Sequence, residues 1–356
     1  MTKLFLHIGD HKTGTSAVQR ALAAATLQSG WLYPAAGRAM GAGHHNLPWE
    51  IAGDKRFRPP KGGWRDVARE IAAARPDRAI ISSEGFEFRP PEKVARRLET
   101  AFAGVIDEVE VVLYIRPHAP RLISSFAERV KRGVGPFDRA GFLDLMLRGR
   151  ADYAPRLAAW KAAFETRGWK IAPRIYAPDR LRDADIAADF AESVGLRALL
   201  PADEAPRNAA PSAPALRLIQ IYAQAAERAH GPAAARRAAL AIAAGANRSY
   251  GAHCPRPNWR RSEAARIRDA LRADAMQADD LLARDYGIVA DLTQALDLAV
   301  ASAADDAAQD LPPEAEVAAT TIAEAAAQGI APKGSETARD AVDAASEAPS
   351  PLKSAA

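Results

Sequence analysis

The pattern that most constrains the fold is an apolar run, a glycine turn and an amphipathic helix near the start of the chain. Residues 3–8 (KLFLHI) are an apolar run that Gly9 ends, and this predicts a buried strand. Apolar residues then recur at helical spacing, at Ala17, Val18, Ala21, Leu22 and Ala25. A helix is therefore predicted from about Gly14, and strand, glycine turn and helix together are the local geometry of a nucleotide site.

Three further apolar runs predict strands at 79–83, 109–115 and 170–176. Helical segments at 64–74 and 93–102 precede the first two. The third strand carries Pro173, which favours an edge position or a bulge. The alternation of helices and apolar strands predicts an α/β fold in which helices flank a parallel sheet.

Polar residues follow the predicted strands where each one ends. They are His11 and Lys12, then Ser83 and Glu84, then Arg116. Ligands of parallel α/β sheets bind at the carboxyl ends of the strands. We therefore expect these side chains to meet at one edge of the sheet.

The second half of the chain has a different composition. Helices are predicted at 213–230, 232–244 and 262–286. We expect one α/β domain over residues 1–300, with a nucleotide core at about 1–200 and a helical cap at about 201–300. Residues 301–356 are rich in Ala, Pro, Asp and Glu, which predicts an acidic tail that is disordered or at most loosely helical.

Charge and cysteine content limit the partners and the location. The chain of 356 residues has a net charge of +4, and the tail has ten acidic residues against three basic ones, so the body is strongly basic. An anionic ligand suits that body, whereas no motif indicates a nucleic-acid partner. The single Cys254 excludes an intrachain disulfide. Because neither a signal peptide nor an integral membrane segment is recognisable, we expect a cytoplasmic protein.

The glycine turn differs from the usual loop for nucleoside triphosphates. Gly9 and Gly14 have the spacing of that loop, but Thr15 stands where its lysine belongs. The lysine, Lys12, lies on the near side of the second glycine. Backbone amides at the start of the following helix can bind an anion in either case.

The motif Lys-Thr-Gly-Thr-Ser at positions 12–16, after a first strand that ends His-Ile-Gly, resembles the 5′-phosphosulfate loop of the sulfotransferase superfamily. A second segment, RPHAPRLIS, is similar to the family's arginine and serine that grip the donor's 3′-phosphate, here Arg116 and Ser124. Overall the chain resembles bacterial sulfotransferases of the carbohydrate-modifying kind. The resemblance implies a P-loop NTPase-like three-layer sandwich.

The resemblance also implies an activity and a set of residue roles. The donor substrate is 3′-phosphoadenosine 5′-phosphosulfate (PAPS), the acceptor is a hydroxyl of a carbohydrate or glycoconjugate, and no metal is required. Lys12 would stabilise the charge on the leaving phosphate oxygen. The implied donor-binding residues are His11, Lys12, Thr13, Gly14, Thr15, Ser16, Arg116, Ser124 and, as a late contact, Arg207. The chain departs from cytosolic members at Ala17, where an aromatic residue often stacks on adenine.

Two residues are candidates for the general base that activates the acceptor hydroxyl. Glu84 follows the second predicted strand, in the order in which several sulfotransferases carry their base, but it needs partial burial to become basic enough. His45, beside His44 in GHHNLPWE, has a suitable unperturbed pKa. His7 alternates within the first strand, and we expect it to be a core residue.

Other readings of the same residues stay open. A magnesium-dependent kinase would use Glu84 as a metal ligand, and a non-catalytic module would bind a nucleotide or a glycan with the same fold. Trp31, Trp49 and Trp64 either pack in the core or stack on sugar rings. The sequence decides neither the acceptor's identity nor the oligomeric state.

Overall fold

The computed structural model describes residues 2–197, 210–250, 254–303, 311 and 313–328. The chain divides into two compact units. The first comprises Met1–Pro117, Asp152–Pro206 and Ala273–Thr293, and the second comprises His118–Ala151, Arg207–Arg272 and Gln294–Ala356. The domain boundaries expected from the sequence stay predictions.

The first unit contains a five-stranded sheet. Its strands are β1 (Thr2–His7), β2 (Trp31–Leu32), β3 (Arg78–Ser82), β4 (Ile106–Ile115) and β5 (Lys170–Ile175). The spatial order is β2-β3-β1-β4-β5, and every neighbouring pair is parallel. The predicted α/β class with a parallel sheet is confirmed. β5 lies at the edge that Pro173 favours.

Thirteen α-helices lie in the described part of the chain. They are α1 (Thr15–Ala24), α2 (Asn46–Ala52), α3 (Trp64–Ala74), α4 (Pro91–Ala101), α5 (His118–Lys131), α6 (Arg139–Met146), α7 (Ala154–Glu165), α8 (Ile186–Val194), α9 (Ala213–His230), α10 (Pro232–Ser249), α11 (Arg261–Tyr286), α12 (Leu292–Ala301) and α13 (Pro313–Ala327). Short 3₁₀ turns occur at Pro59–Lys61, Glu84–Phe88 and Arg182–Ala184.

The core of the first unit forms where apolar strand residues meet the apolar faces of the helices. Leu4, Leu6, Ile80, Val111 and Val112 are fully buried in the central strands. Each such side chain contributes about 1.5–3 kcal/mol on burial. The sheet is therefore a rigid base that fixes the carboxyl ends of its strands.

Two of the tryptophans proposed for the core or for sugar binding are core residues. Trp64 begins α3, is fully buried, and donates its indole N–H to the Leu47 carbonyl at 3.0 Å. Trp31 is buried in β2 and stacks on Phe5, with ring centroids 5.8 Å apart. Trp49 in α2 is only half-buried.

The second unit includes a helix in the segment for which the sequence predicts a disordered or loosely helical tail. α13 packs against α9, with Ala315, Ala319 and Ala323 buried at a spacing of four residues. Arg217 of α9 donates a hydrogen bond to Glu316, and this ion pair adds a polar contact. Apart from residues 301–303, 311 and 313–328, the predicted tail lies outside the described residues.

No helix in the described ranges has the length and apolarity that a bilayer span needs.

Candidate anion-binding site

The loop between β1 and α1 has an unusual backbone. Gly9, Lys12 and Gly14 adopt positive φ angles of 59°, 73° and 75°. Lys12 is the unexpected member, because a residue with a Cβ pays about 1–2 kcal/mol in the left-handed region. The hydroxyl of Thr13 donates to the Asp10 carbonyl at 2.6 Å and closes the turn. The loop is thus a fixed, strained bend that leads directly into a helix.

The start of α1 presents backbone donors. Within the described residues, no hydrogen-bond partner occupies the amides of Gly14, Thr15 and Ser16. The first amides of a helix have no partner inside it, and the helix dipole adds positive potential there. Ser16 is exposed, whereas the Thr15 side chain is buried in the turn. The local structure can therefore bind an anion.

Glycine is required at both ends of the loop by close contacts as well as by φ. A Cβ on Gly9 would lie 2.7 Å from Thr15 Oγ1 and 3.2 Å from the Cβ of Glu84. A Cβ on Gly14 would lie 2.9 Å from Cγ2 of Ile186. The loop is consequently packed against the exit of β3 on one side and the start of α8 on the other.

Arg116 contacts the loop from the end of β4. Its Nη1 donates to the Lys12 carbonyl at 2.7 Å, and its guanidinium lies 5.4 Å from the ring centroid of Tyr176. Burial lowers the pKa of Arg116, but a guanidinium stays charged at neutral pH. Two predicted site residues that are 104 positions apart in the chain are thus in direct contact.

The other two predicted donor contacts remain predictions. Ser124 lies in α5, which belongs to the second unit, and its side chain is half-buried. Arg207 and its neighbour Asn208 lie outside the described residues.

The two candidate bases lie side by side at the exit of β3. Nδ1 of His45 is 3.8 Å from Oε2 of Glu84, and the same nitrogen is 2.9 Å from Oγ of Ser83. Gln19 of α1 donates to Glu84 at 3.0 Å. Glu84 and His45 are therefore alternatives for a proton acceptor within one small cluster, beside the glycine loop.

Their surroundings set their protonation. Burial works to raise the pKa of Glu84, but hydrogen bonds and positive neighbours, led by His45, outweigh it and hold the pKa below its ordinary 4.5. Burial lowers the pKa of His45 below 6.5, and Glu84 opposes this shift only in part. At neutral pH the carboxylate is ionised and the imidazole is neutral, so each can accept a proton. The shift of Glu84 is opposite to the rise that its role as a base was expected to need.

His44, the neighbour of His45, has a structural role. It is fully buried, Nε2 lies 3.0 Å from the Pro34 carbonyl oxygen, and Nδ1 accepts the Ser82 amide at 3.1 Å. Burial lowers the pKa of His44 to about 3. The expectation that His7 is a core residue is confirmed by its complete burial.

A buried ionic network lies beneath the loop, and sequence reasoning missed it. Asp10 and Glu87 have almost fully buried carboxylates, and Arg156 of α7 forms ion pairs with both. The Tyr153 hydroxyl also donates to Asp10, at 2.9 Å. Removing one partner of such a network leaves a buried charge uncompensated, so the network fixes the loop relative to α7.

His11 connects that network to the loop surface. Its amide donates to Glu87 Oε2 at 3.0 Å, and Nδ1 lies 2.6 Å from the same oxygen. Burial works to lower the pKa of His11, but the Glu87 carboxylate outweighs it and raises the pKa. The ring also packs at 4.8 Å from the ring of Phe88, which is 58% exposed. His11 is thus an oriented, partly cationic group at the loop.

The fold and the site define the class of protein. It is an α/β protein with a glycine loop and a helix N-terminus at the carboxyl end of its central strand. Comparisons of the chain with protein-family models, with curated proteins and with solved structures found no match. The resemblance to sulfotransferases therefore rests on the chain's own residues.

Proposed function

We propose that the chain is a sulfotransferase that moves a sulfonate group from PAPS to a hydroxyl of a carbohydrate or glycoconjugate. The observation that supports this best is the hydrogen bond from Arg116 to the Lys12 carbonyl, because it joins the two motifs on which the resemblance depends. We include the P-loop NTPase-like three-layer arrangement in the proposal. Its support is the parallel sheet with β1 at the centre.

The donor would bind with its 5′-phosphate at the start of α1. The amides of Gly14, Thr15 and Ser16 would donate to its oxygens, and the helix dipole would add attraction. Arg116 would provide a cation for the 3′-phosphate from the neighbouring strand. The imidazole of His11, held by Glu87, would add positive charge at the same loop.

The reaction forms one oxygen–sulfur bond and breaks another. The acceptor oxygen attacks sulfur in line with the bond to the bridging phosphate oxygen, and that oxygen leaves with the bonding electrons as part of adenosine 3′,5′-bisphosphate. The proton of the acceptor hydroxyl passes to Glu84 or His45. Lys12 would stabilise the negative charge on the departing oxygen, where preorganised charge is most effective.

The pairing of Glu84 with His45 gives the base a partner. If His45 takes the proton, the nearby carboxylate stabilises the imidazolium that forms. If Glu84 takes it, His45 and Gln19 orient the carboxylate. Both versions need the two side chains to be close, as they are.

A transfer assay tests the proposal. Wild-type protein, PAPS and a panel of carbohydrate acceptors are incubated without metal, and mass spectrometry detects a sulfonate added to a hydroxyl. Lys12→Ala is expected to lower the rate by about 10²-fold or more, because a charge on the leaving oxygen is lost. Lys170→Ala, at the exposed amino end of β5, is the matched control and should keep the wild-type rate. Full transfer by a folded Lys12→Ala variant would refute the role of Lys12.

A further inference from the structure

An exposed basic edge lies next to the candidate bases. We use this name for Lys55, Arg56, Arg58 and Lys61, all of which are exposed. Asp54 pairs with Arg56, whose Nη2 is 2.7 Å from the carboxylate. Among the described residues no carboxylate forms an ion pair with the other three cations. The edge is therefore a concentration of positive charge, in which Arg56 alone has a carboxylate partner among the described residues.

The backbone of the basic edge is held rigidly. The side chain of Asn46 is buried, donates to the carbonyls of Arg58 and Gly62 at 2.9 and 2.7 Å, and accepts the Arg58 amide at 2.8 Å. A 3₁₀ turn at Pro59–Lys61 stiffens the segment further. Charges on a fixed backbone lose less entropy on binding than charges on a mobile loop, so the edge is preorganised for a ligand.

A short series of contacts links the basic edge to the candidate bases. Asn46 and Trp49 both lie in α2, which starts immediately after His45. The Trp49 ring is 6.1 Å from the ring of His45, and the Arg56 guanidinium lies 5.1 Å from the Trp49 centroid. The charge of Arg56 is also among the causes that lower the pKa of His45. A ligand bound at the basic edge would thus lie close to His45 and Glu84, the candidate proton acceptors.

The strand order separates the basic edge from the predicted donor side. β1 has β3 on one side and β4 on the other. Arg116 follows β4, whereas the His44 amide bonds to Ser82 at the end of β3 and brings α2 to that side. The exposed ring of Phe88 follows β3 as well and offers an apolar face of the kind on which sugar rings pack.

We infer that the acceptor is an acidic glycan whose carboxylate or sulfate groups bind the basic edge while one of its hydroxyls lies at Glu84 and His45. This inference rests on the proposed function. It commits to a polyanionic sugar chain, because the spaced cations of the basic edge lie beside the half-buried ring of Trp49, which Arg56 contacts.

Binding of a defined acidic oligosaccharide tests the inference without any transfer step. The probe is a fluorescent oligogalacturonate of about ten sugars, and its carboxyl-reduced, neutral counterpart is the ligand control. Affinities are measured by fluorescence polarisation over a series of salt concentrations. We expect the neutral chain to bind at least about tenfold more weakly, and the acidic chain to lose affinity as salt screens the charges.

Charge reversal locates the binding surface. The double variant Lys55→Glu with Lys61→Glu is expected to weaken the acidic probe by on the order of tenfold or more. The control double variant, Lys170→Glu with Arg197→Glu, makes the same change in net charge away from the basic edge. Lys170 is the first residue of β5. Arg197 lies beyond the C-terminal end of α8, whose N-terminal residue Ile186 is the one that packs on Gly14. The control should bind like wild type.

Three outcomes would overturn the inference: equal weakening by both double variants, equal affinity for the neutral chain, or tighter binding of a single-stranded oligonucleotide of the same charge. Titration with adenosine 3′,5′-bisphosphate separates this failure from failure of the proposed function. If the nucleotide binds all variants equally and the acidic glycan does not bind, only the acceptor assignment is wrong. If the glycan binds and the nucleotide does not, the proposed function is wrong.

Discussion

Replacing His7 by leucine should remove a defined part of the acid sensitivity of the first unit. His7 is fully buried at the end of β1, with Nδ1 2.9 Å from Ser82 Oγ. Its Nε2 has no hydrogen-bond partner among the residues that the structure describes. Burial lowers the pKa of His7 from 6.5 to about 4. A proton is therefore bound far more readily by the unfolded chain than by the folded one.

The sign and size of the effect follow from linkage. Because the pKa is lower in the folded state, the full stability is present above pH 6.5 and is lost as the pH falls from 6.5 towards 4. Within this window the unfolding free energy falls by about 1.4 kcal/mol for each pH unit. Between pH 6.5 and pH 5, protonation of His7 alone therefore lowers the unfolding free energy by about 2 kcal/mol. Leucine cannot bind a proton, and this loss disappears in the variant.

Urea denaturation at pH 7 and pH 5 measures the difference. At pH 7 His7→Leu should change the unfolding free energy by only about 1 kcal/mol, because Ser82 keeps its hydrogen bond from Gln19. Between pH 7 and pH 5 the wild type should lose about 2 kcal/mol more than the variant. Equal losses in wild type and His7→Leu would refute the reasoning.

Two further predictions concern the bases and the C-terminal helix. At saturating donor, Glu84→Gln or His45→Ala should lower turnover by about 10²–10⁴-fold. An acid limb of the pH–rate profile between pH 4.5 and 6.5 would assign the base to His45, because the pKa of Glu84 lies below 4.5. Full turnover in both variants would remove both residues from the mechanism. Ala319→Glu should place a charge in the contact between α13 and α9 and destabilise it by about 2 kcal/mol or more, whereas Val317→Glu, at a 67% exposed position, should not. Limited proteolysis of α13 distinguishes the two variants, and equal protection would contradict the packing.

Much of the fold could be predicted because apolar residues recur at regular spacing within its longer helices and strands. α3 and α9 were predicted with the bounds that the structure shows, since their apolar residues recur at helical spacing over eleven or more positions. β2 was missed because it has only two residues, Trp31 and Leu32, which is too short for any pattern. Its pairing with β3 depends on tertiary contact that no local run of residues encodes.

The candidate site could be predicted only in part, for a similar reason. The strand exits carrying Lys12, Glu84 and Arg116 were expected at one edge because parallel strands align their carboxyl ends. The network under the loop joins Asp10 to Arg156 across 146 positions, and nothing in the local sequence marks those residues as partners. The proximity of Glu84 to His45 was likewise invisible, because it depends on how α2 packs beside β3.

The central claim is that the glycine loop and Arg116 bind a nucleotide that carries both a 5′-phosphate and a 3′-phosphate. Isothermal titration with adenosine 3′,5′-bisphosphate in the absence of magnesium tests this directly. We predict binding to the wild type, much weaker binding of ATP, and a loss of about tenfold or more in Arg116→Ala, which removes a charge-assisted contact. Binding of ATP that requires magnesium, with no heat from the bisphosphate, would contradict the account.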